Sequence, residues 1–131
     1  MRRVTLLFVA TAFVMIATSS AFSQVQTRIE FARGATSTVV TGSLSSYNDK
    51  RIFVIKVRRG QTLTTESIGK NYITVDIKPP RGARYDADLS ANCHDDHRVR
   101  PTAPGDYIIT VTECRKADRW RGRFRLRVGV R

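Results

Sequence analysis

The chain closes on RGRFRLRVGVR, residues 121–131, in which arginine and apolar residues alternate with a period of two. That period constrains the fold more than any other feature. Successive side chains of a strand point to opposite faces, so Phe124, Leu126, Val128 and Val130 share one face. Arg123, Arg125, Arg127 and Arg131 share the other. RIFVIKVR (51–58) repeats the pattern, with Phe53, Ile55 and Val57 opposite Lys56 and Arg58. In DYIITVTE (106–113), Tyr107, Ile109 and Val111 oppose Ile108, Thr110 and Thr112. Shorter candidate strands are TRIEF (27–31), STVVTGSL (37–44), QTLTTES (61–67) and YITVDIK (72–78), all rich in the β-branched and aromatic residues that suit a pleated surface.

The punctuation agrees with short strands. Tyr47-Asn48-Asp49-Lys50, Arg59-Gly60, Pro79-Pro80-Arg81-Gly82 and Pro104-Gly105-Asp106 read as turns or strand terminators. No amphipathic helix follows the N-terminal segment. Seven to eight short strands predict an all-β fold, an antiparallel β-sandwich of jelly-roll type. The stretch GARYDADLSANCHDDHRVRPT (82–102) is the least regular, and long connections of a sandwich are where function tends to sit.

The N-terminus reads differently. Arg2 and Arg3 precede an apolar run from Val4 to Ala17, and Ala21 and Ser23 stand at the −3 and −1 positions of a cut before Gln24. These are the three parts of a secretory signal peptide over residues 1–23, with an ordinary basic start or a twin-arginine route both open. Residues 24–131 are then a single exported binding domain, periplasmic or secreted, with no membrane span. Removing residues 1–23 takes away two arginines and no acid, which leaves 21 basic and 11 acidic residues, net +10. That excess favours an anionic partner, or serves solubility alone. In an oxidising compartment Cys93 and Cys114 are expected to form one disulfide, which in the chain-entropy model is worth about 3 kcal/mol.

Little in the chain suggests reaction chemistry. Cys93-His94-Asp95-Asp96-His97 has metal-ligand residue types, yet Cys93 is committed to the disulfide and no third histidine completes a site; no metal and no cofactor is expected. No serine sits in a nucleophile elbow, and Asp95 and Asp96 are sequence neighbours rather than carboxyls across a cleft. The chain reads as a binder, not an enzyme. Arg123, Arg125, Arg127 and Arg131 form either an anion-binding face or the solvated side of a terminal strand that discourages edge pairing. Interleaved aromatic side chains are missing from that face, which argues against nucleic acid as a specific partner. Trp120, the only tryptophan, either plugs the core beside the disulfide or is a recognition residue.

The order of landmarks resembles a known family. Ile29-Glu30-Phe31 precedes Gly34 and a run of small residues; Gly42 follows, Tyr47 leads into Phe53, and Gly60-Gln61 marks the next reversal. Pro80-Arg81-Gly82 and Gly105-Asp106-Tyr107 before an Ile/Val strand complete the set. Over about residues 28–130 the chain is similar to bacterial pre-peptidase C-terminal-like domains, above all to the exported inhibitors of g-type lysozyme. The disulfide pair and the arginine-rich last strand are additions to that pattern. The resemblance implies a stand-alone lysozyme inhibitor that plugs a carboxylate-lined cleft with loops from one end of the sandwich. Basic loops at Pro79–Arg84, Asn92–Arg100 and Lys116–Arg121 would be complementary to such a cleft. Within them Arg81, Arg84, Arg98, Arg100, Arg119, Trp120 and Arg121 are the candidate partner-binding residues. The alternative is a polyanion- or envelope-binding module that uses the arginine face of the last strand.

Overall fold

The computed structural model describes residues 25–83, 93, 96–100, 102–116 and 120–131. The expected signal peptide, Arg84, His94, Asp95 and Arg119 lie outside the described residues. Eight strands follow in chain order: β1 (Gln26–Arg28), β2 (Ser37–Leu44), β3 (Lys50–Val57), β4 (Leu63–Ser67), β5 (Ile73–Lys78), β6 (His97–Val99), β7 (Gly105–Glu113) and β8 (Gly122–Val130). They form two four-stranded sheets, ordered β1-β3-β7-β5 and β2-β8-β4-β6. Every consecutive strand changes sheet, so all odd strands lie in one layer and all even strands in the other. The all-β jelly-roll sandwich expected from the period-two pattern is the fold observed.

The apolar halves of the alternation meet between the layers. Phe53, Ile55 and Val57 of β3, Tyr107, Ile109 and Val111 of β7, and Phe124, Leu126, Val128 and Val130 of β8 are all buried. Ile73, Val75 and Ile77 of β5 and Leu63 of β4 join them. Phe53 and Phe124 face each other across the sandwich edge-to-face, centroids 6.3 Å apart. Gly42 is paired opposite Phe124, and a Cβ there would stand 2.6 Å from the ring, so the sequence spends a glycine to admit a phenylalanine.

Three expectations needed adjustment. The first strand is Gln26–Arg28 rather than 27–31 and runs parallel to β3, while the other strand pairs are antiparallel. Gly105-Asp106 opens β7 instead of forming a turn, because Gly105 already pairs with Val57. The irregular stretch contains β6, whose three residues are too few to show a period, yet they alternate buried, exposed, buried. It is held as a strand by pairing with β4, a tertiary partner invisible in local sequence.

Candidate functional site

Two regions gather chemistry. The antiparallel register sets the ends of the sandwich: β2, β4 and β7 finish, and β3, β5 and β8 begin, at the end where Cys114 follows Glu113. A nine-residue strand such as β7 separates this end from the other by roughly 30 Å.

At the disulfide end the loop bases are held by a covalent bond and by hydrogen bonds to two carboxylates. Cys93 and Cys114 are bonded with Cα atoms 4.8 Å apart, inside the ordinary disulfide range, as the cysteine pair predicted. Cys93 takes a left-handed backbone conformation (φ 70°), and its N–H donates to Thr74 Oγ1 at 3.0 Å. The buried Glu113 carboxylate accepts a hydrogen bond from the backbone N–H of Trp120. The Trp120 side chain is half-buried and packs on the core. Across from it, Asp49 accepts from the N–H and hydroxyl of Ser45, both at 3.0 Å, and from Arg51 at 2.6 Å. Burial pushes the Asp49 carboxyl up, but the Ser45 and Arg51 hydrogen bonds outweigh it and hold the group below its ordinary value. Between these braced loops lies a shallow pocket of about 210 Å³ lined by Ser46, Tyr47, Asn48, Glu113 and Arg121. Sequence reasoning singled out Trp120 and Arg121 here but passed over Tyr47 as a site residue, treating it only as a turn and a landmark.

The second region is the outward face of the even-strand sheet. The register places Ser37, Gly129, Thr64 and Arg98 in one line across four strands. Arg123, Arg125, Arg127 and Arg131 do project from this face, opposite the buried Phe124, Leu126 and Val128. They do not form one uniform row. Arg127 is bound to Glu66 at 3.0 Å, and Gly129 interrupts the sequence of side chains before Arg131. β8 is also a central strand, flanked by β2 and β4, so its arginines do not guard a free edge.

The candidate partner-binding residues do not converge. Arg81 is exposed in a turn after β5, at the end opposite the disulfide. Arg98 and Arg100 project from the edge strand β6 and its continuation, while Trp120 and Arg121 belong to the disulfide end. A single cleft can therefore engage only a subset of them. On the odd-strand sheet Arg28 and Asp106 form a two-pronged pair at 3.1 and 2.9 Å. The Arg28 hydrogen bond and charge hold the Asp106 carboxyl below its ordinary value. Among the described residues no cluster of three or more His, Cys, Asp or Glu could hold a metal ion. No helix among them is long and apolar enough to cross a membrane.

No family model matches the chain, and no curated protein sequence matches it either. Solved structures do. The periplasmic inhibitor of g-type lysozyme PliG from Aeromonas hydrophila superposes with a TM-score of 0.62 at 23% identity, covering 81% of this chain and 96% of that one. PliG from Salmonella Typhimurium gives 0.62 at 18% identity, with 81% and 97% covered. The pre-peptidase C-terminal domain of a Bacillus anthracis collagenase gives 0.51 at 14%, with 82% and 96% covered. The sandwich is thus the fold of the two groups that the sequence landmarks resemble, reproduced over nearly their whole length.

Proposed function

We propose that this protein is an exported, non-enzymatic inhibitor of a lysozyme, of the g-type class, acting in the periplasm or outside the cell. The observation that carries this reading is the likeness in fold to the PliG inhibitors over 96–97% of their chains and 81% of this one. The mechanism is occlusion. Loops at the disulfide end enter the substrate cleft, with Arg121 facing its carboxylates and Trp120 and Tyr47 supplying apolar contact. The disulfide and the Glu113 and Asp49 hydrogen bonds fix these loops before binding, so less ordering entropy is lost when the partner arrives. No covalent step and no cofactor is involved.

The test is lysis of cell-wall substrate by c-, i- and g-type lysozymes, with and without the protein carrying its Cys93–Cys114 bond. Salt is set at about 50 and about 200 mM, where screening separates a shape-driven plug from a purely ionic one. Inhibition confined to the g-type enzyme, retained at the higher salt and lost in Trp120→Ala/Arg121→Ser, is expected. Full lysis by all three classes overturns the reading.

A further inference from the structure

The outward face of the even-strand sheet carries a second site, distinct from the disulfide end. Arg98 and Arg100 lie two residues apart on β6 and its continuation, so their Cα atoms are separated by roughly 7 Å. Arg131 exchanges backbone hydrogen bonds with Thr62 (2.7 and 3.1 Å), and Thr62 continues β4, the partner of β6. Two strand spacings, roughly 10 Å, therefore separate Arg131 from Arg100. Between the three arginines runs an open groove of about 710 Å³.

Its floor is small and polar. Ser37 and Thr64 flank Gly129 on neighbouring strands, and a Cβ on Gly129 would stand 2.8 Å from Thr64 Oγ1. Glycine leaves the floor open where the alternation of β8 would otherwise place a side chain. Of the two acids of the groove, Glu66 is paired with Arg127 at 3.0 Å, and Asp96 accepts from the Ser67 N–H at 3.1 Å without a cationic partner among the described residues. Arg98, Arg100 and Arg131 are exposed and make no ion pair among the described residues.

We infer that this groove binds an extended polymer bearing closely spaced phosphate groups, with Arg98, Arg100 and Arg131 as the cationic grip and Ser37 as a hydroxyl donor, the Thr64 hydroxyl being turned to the Gly129 carbonyl. Guanidinium forks match phosphate oxygens two at a time, and three of them spread over roughly 12 Å suit successive anionic groups rather than one. The occupant is not a stacked single strand of nucleic acid, because no Phe, Tyr or Trp is among the described residues that line the groove. Nor is it a bilayer: the exposed large apolar residues among those described are Val25, Val39 and Tyr72, and only Val39 is on this sheet face. A protein partner would want an aromatic anchor, which the groove lacks.

The test is calorimetric titration of the intact protein with inorganic polyphosphate. Three comparators run beside it: polyglutamate, vesicles containing a phosphomonoester lipid, and a charge-matched variant outside the groove. Arg98→Ser/Arg100→Ser/Arg131→Ser is expected to weaken polyphosphate binding by about tenfold or more, and the log–log salt slope of the unaltered protein to be on the order of −2 to −3. Lys50→Ser/Arg123→Ser/Arg125→Ser, with the same loss of charge, is expected to cost less than about threefold. Equal losses in the two triple variants overturn the groove in favour of diffuse charge. Equal affinity for polyglutamate overturns the phosphate assignment, and binding to vesicles but not to polyphosphate overturns the polymer. Trp120→Ala/Arg121→Ser, which is expected to lose lysozyme inhibition, keeps its polyphosphate affinity, so the two sites fail or stand separately.

Discussion

The two ends of the sandwich hold their loops by different means. At the disulfide end a covalent bond and two carboxylates, Asp49 and Glu113, take up backbone and side-chain donors from neighbouring loops. At the opposite end the Arg28–Asp106 pair ties β1 to β7, and the loop fasteners around Thr102 are neutral. The single hydroxyl proton of the buried Thr102 lies between the carbonyls of Arg58 (2.8 Å) and Gln61 (3.0 Å). Gly60 N–H donates to Thr102 O, Thr102 N–H to Gln61 O, and Ala103 N–H to the Tyr107 hydroxyl. Arg58, Arg59, Arg81, Arg100 and Arg131 at that end make no ion pair among the described residues. The first end is preorganised for a shaped partner, and the second presents charge.

Removing the disulfide is the hardest blow to this contrast. Cys93→Ser/Cys114→Ser is expected to lower stability by about 3 kcal/mol in urea unfolding, the loop-entropy value for a closure of this size. Hydrogen exchange should rise first around Trp120 and Cys114; equal loosening around Gly60 and Thr102 would mean that the ends are not held independently. Thr102→Val is the reciprocal change. It removes one buried hydroxyl bond and strands the carbonyls, a cost of about 1–2 kcal/mol, with faster exchange at Gly60 and Gln61 and an unchanged disulfide end. The smallest effect concerns acid. A carboxyl whose folded pKa is depressed adds stability that is present above its ordinary value, 3.8 for Asp49, and is lost as pH falls through the folded value. Asp49→Asn should therefore lower stability at neutral pH and flatten the fall below about pH 4; an unaltered acid limb would remove Asp49 from the fasteners.

Much of this contrast was legible along the chain, and its limits follow from what a local pattern encodes. Period two placed Phe124, Leu126 and Val128 in the core and Arg123, Arg125 and Arg127 in water, because burial of one strand face is written in every second residue. The cysteine pair marked the rigid end. What the pattern could not carry was adjacency. Arg127 looked like one arginine of four until β4 brought Glu66 beside it. Arg98 and Arg100, read as loop residues of a partner-binding set, became neighbours of Arg131 only because β6 pairs with β4 and β4 with β8. Glu113 carried no signal at all, since a lone acid at a strand end reads as a solvated charge until a loop amide is placed on it.

The sequence alone determined the class of fold, the inward and outward faces of each long strand, the disulfide and the strong positive charge, all of which depend on residue types and on spacing along one segment. The tertiary structure decided the alternation of strands between sheets, the parallel β1, the strand hidden in 97–99 and the separation of the arginines into a paired, a diffuse and a clustered group. Those features depend on which segments become neighbours in space, and neighbours on a sheet are chosen by the packing of the whole core, not by the few residues that end up side by side.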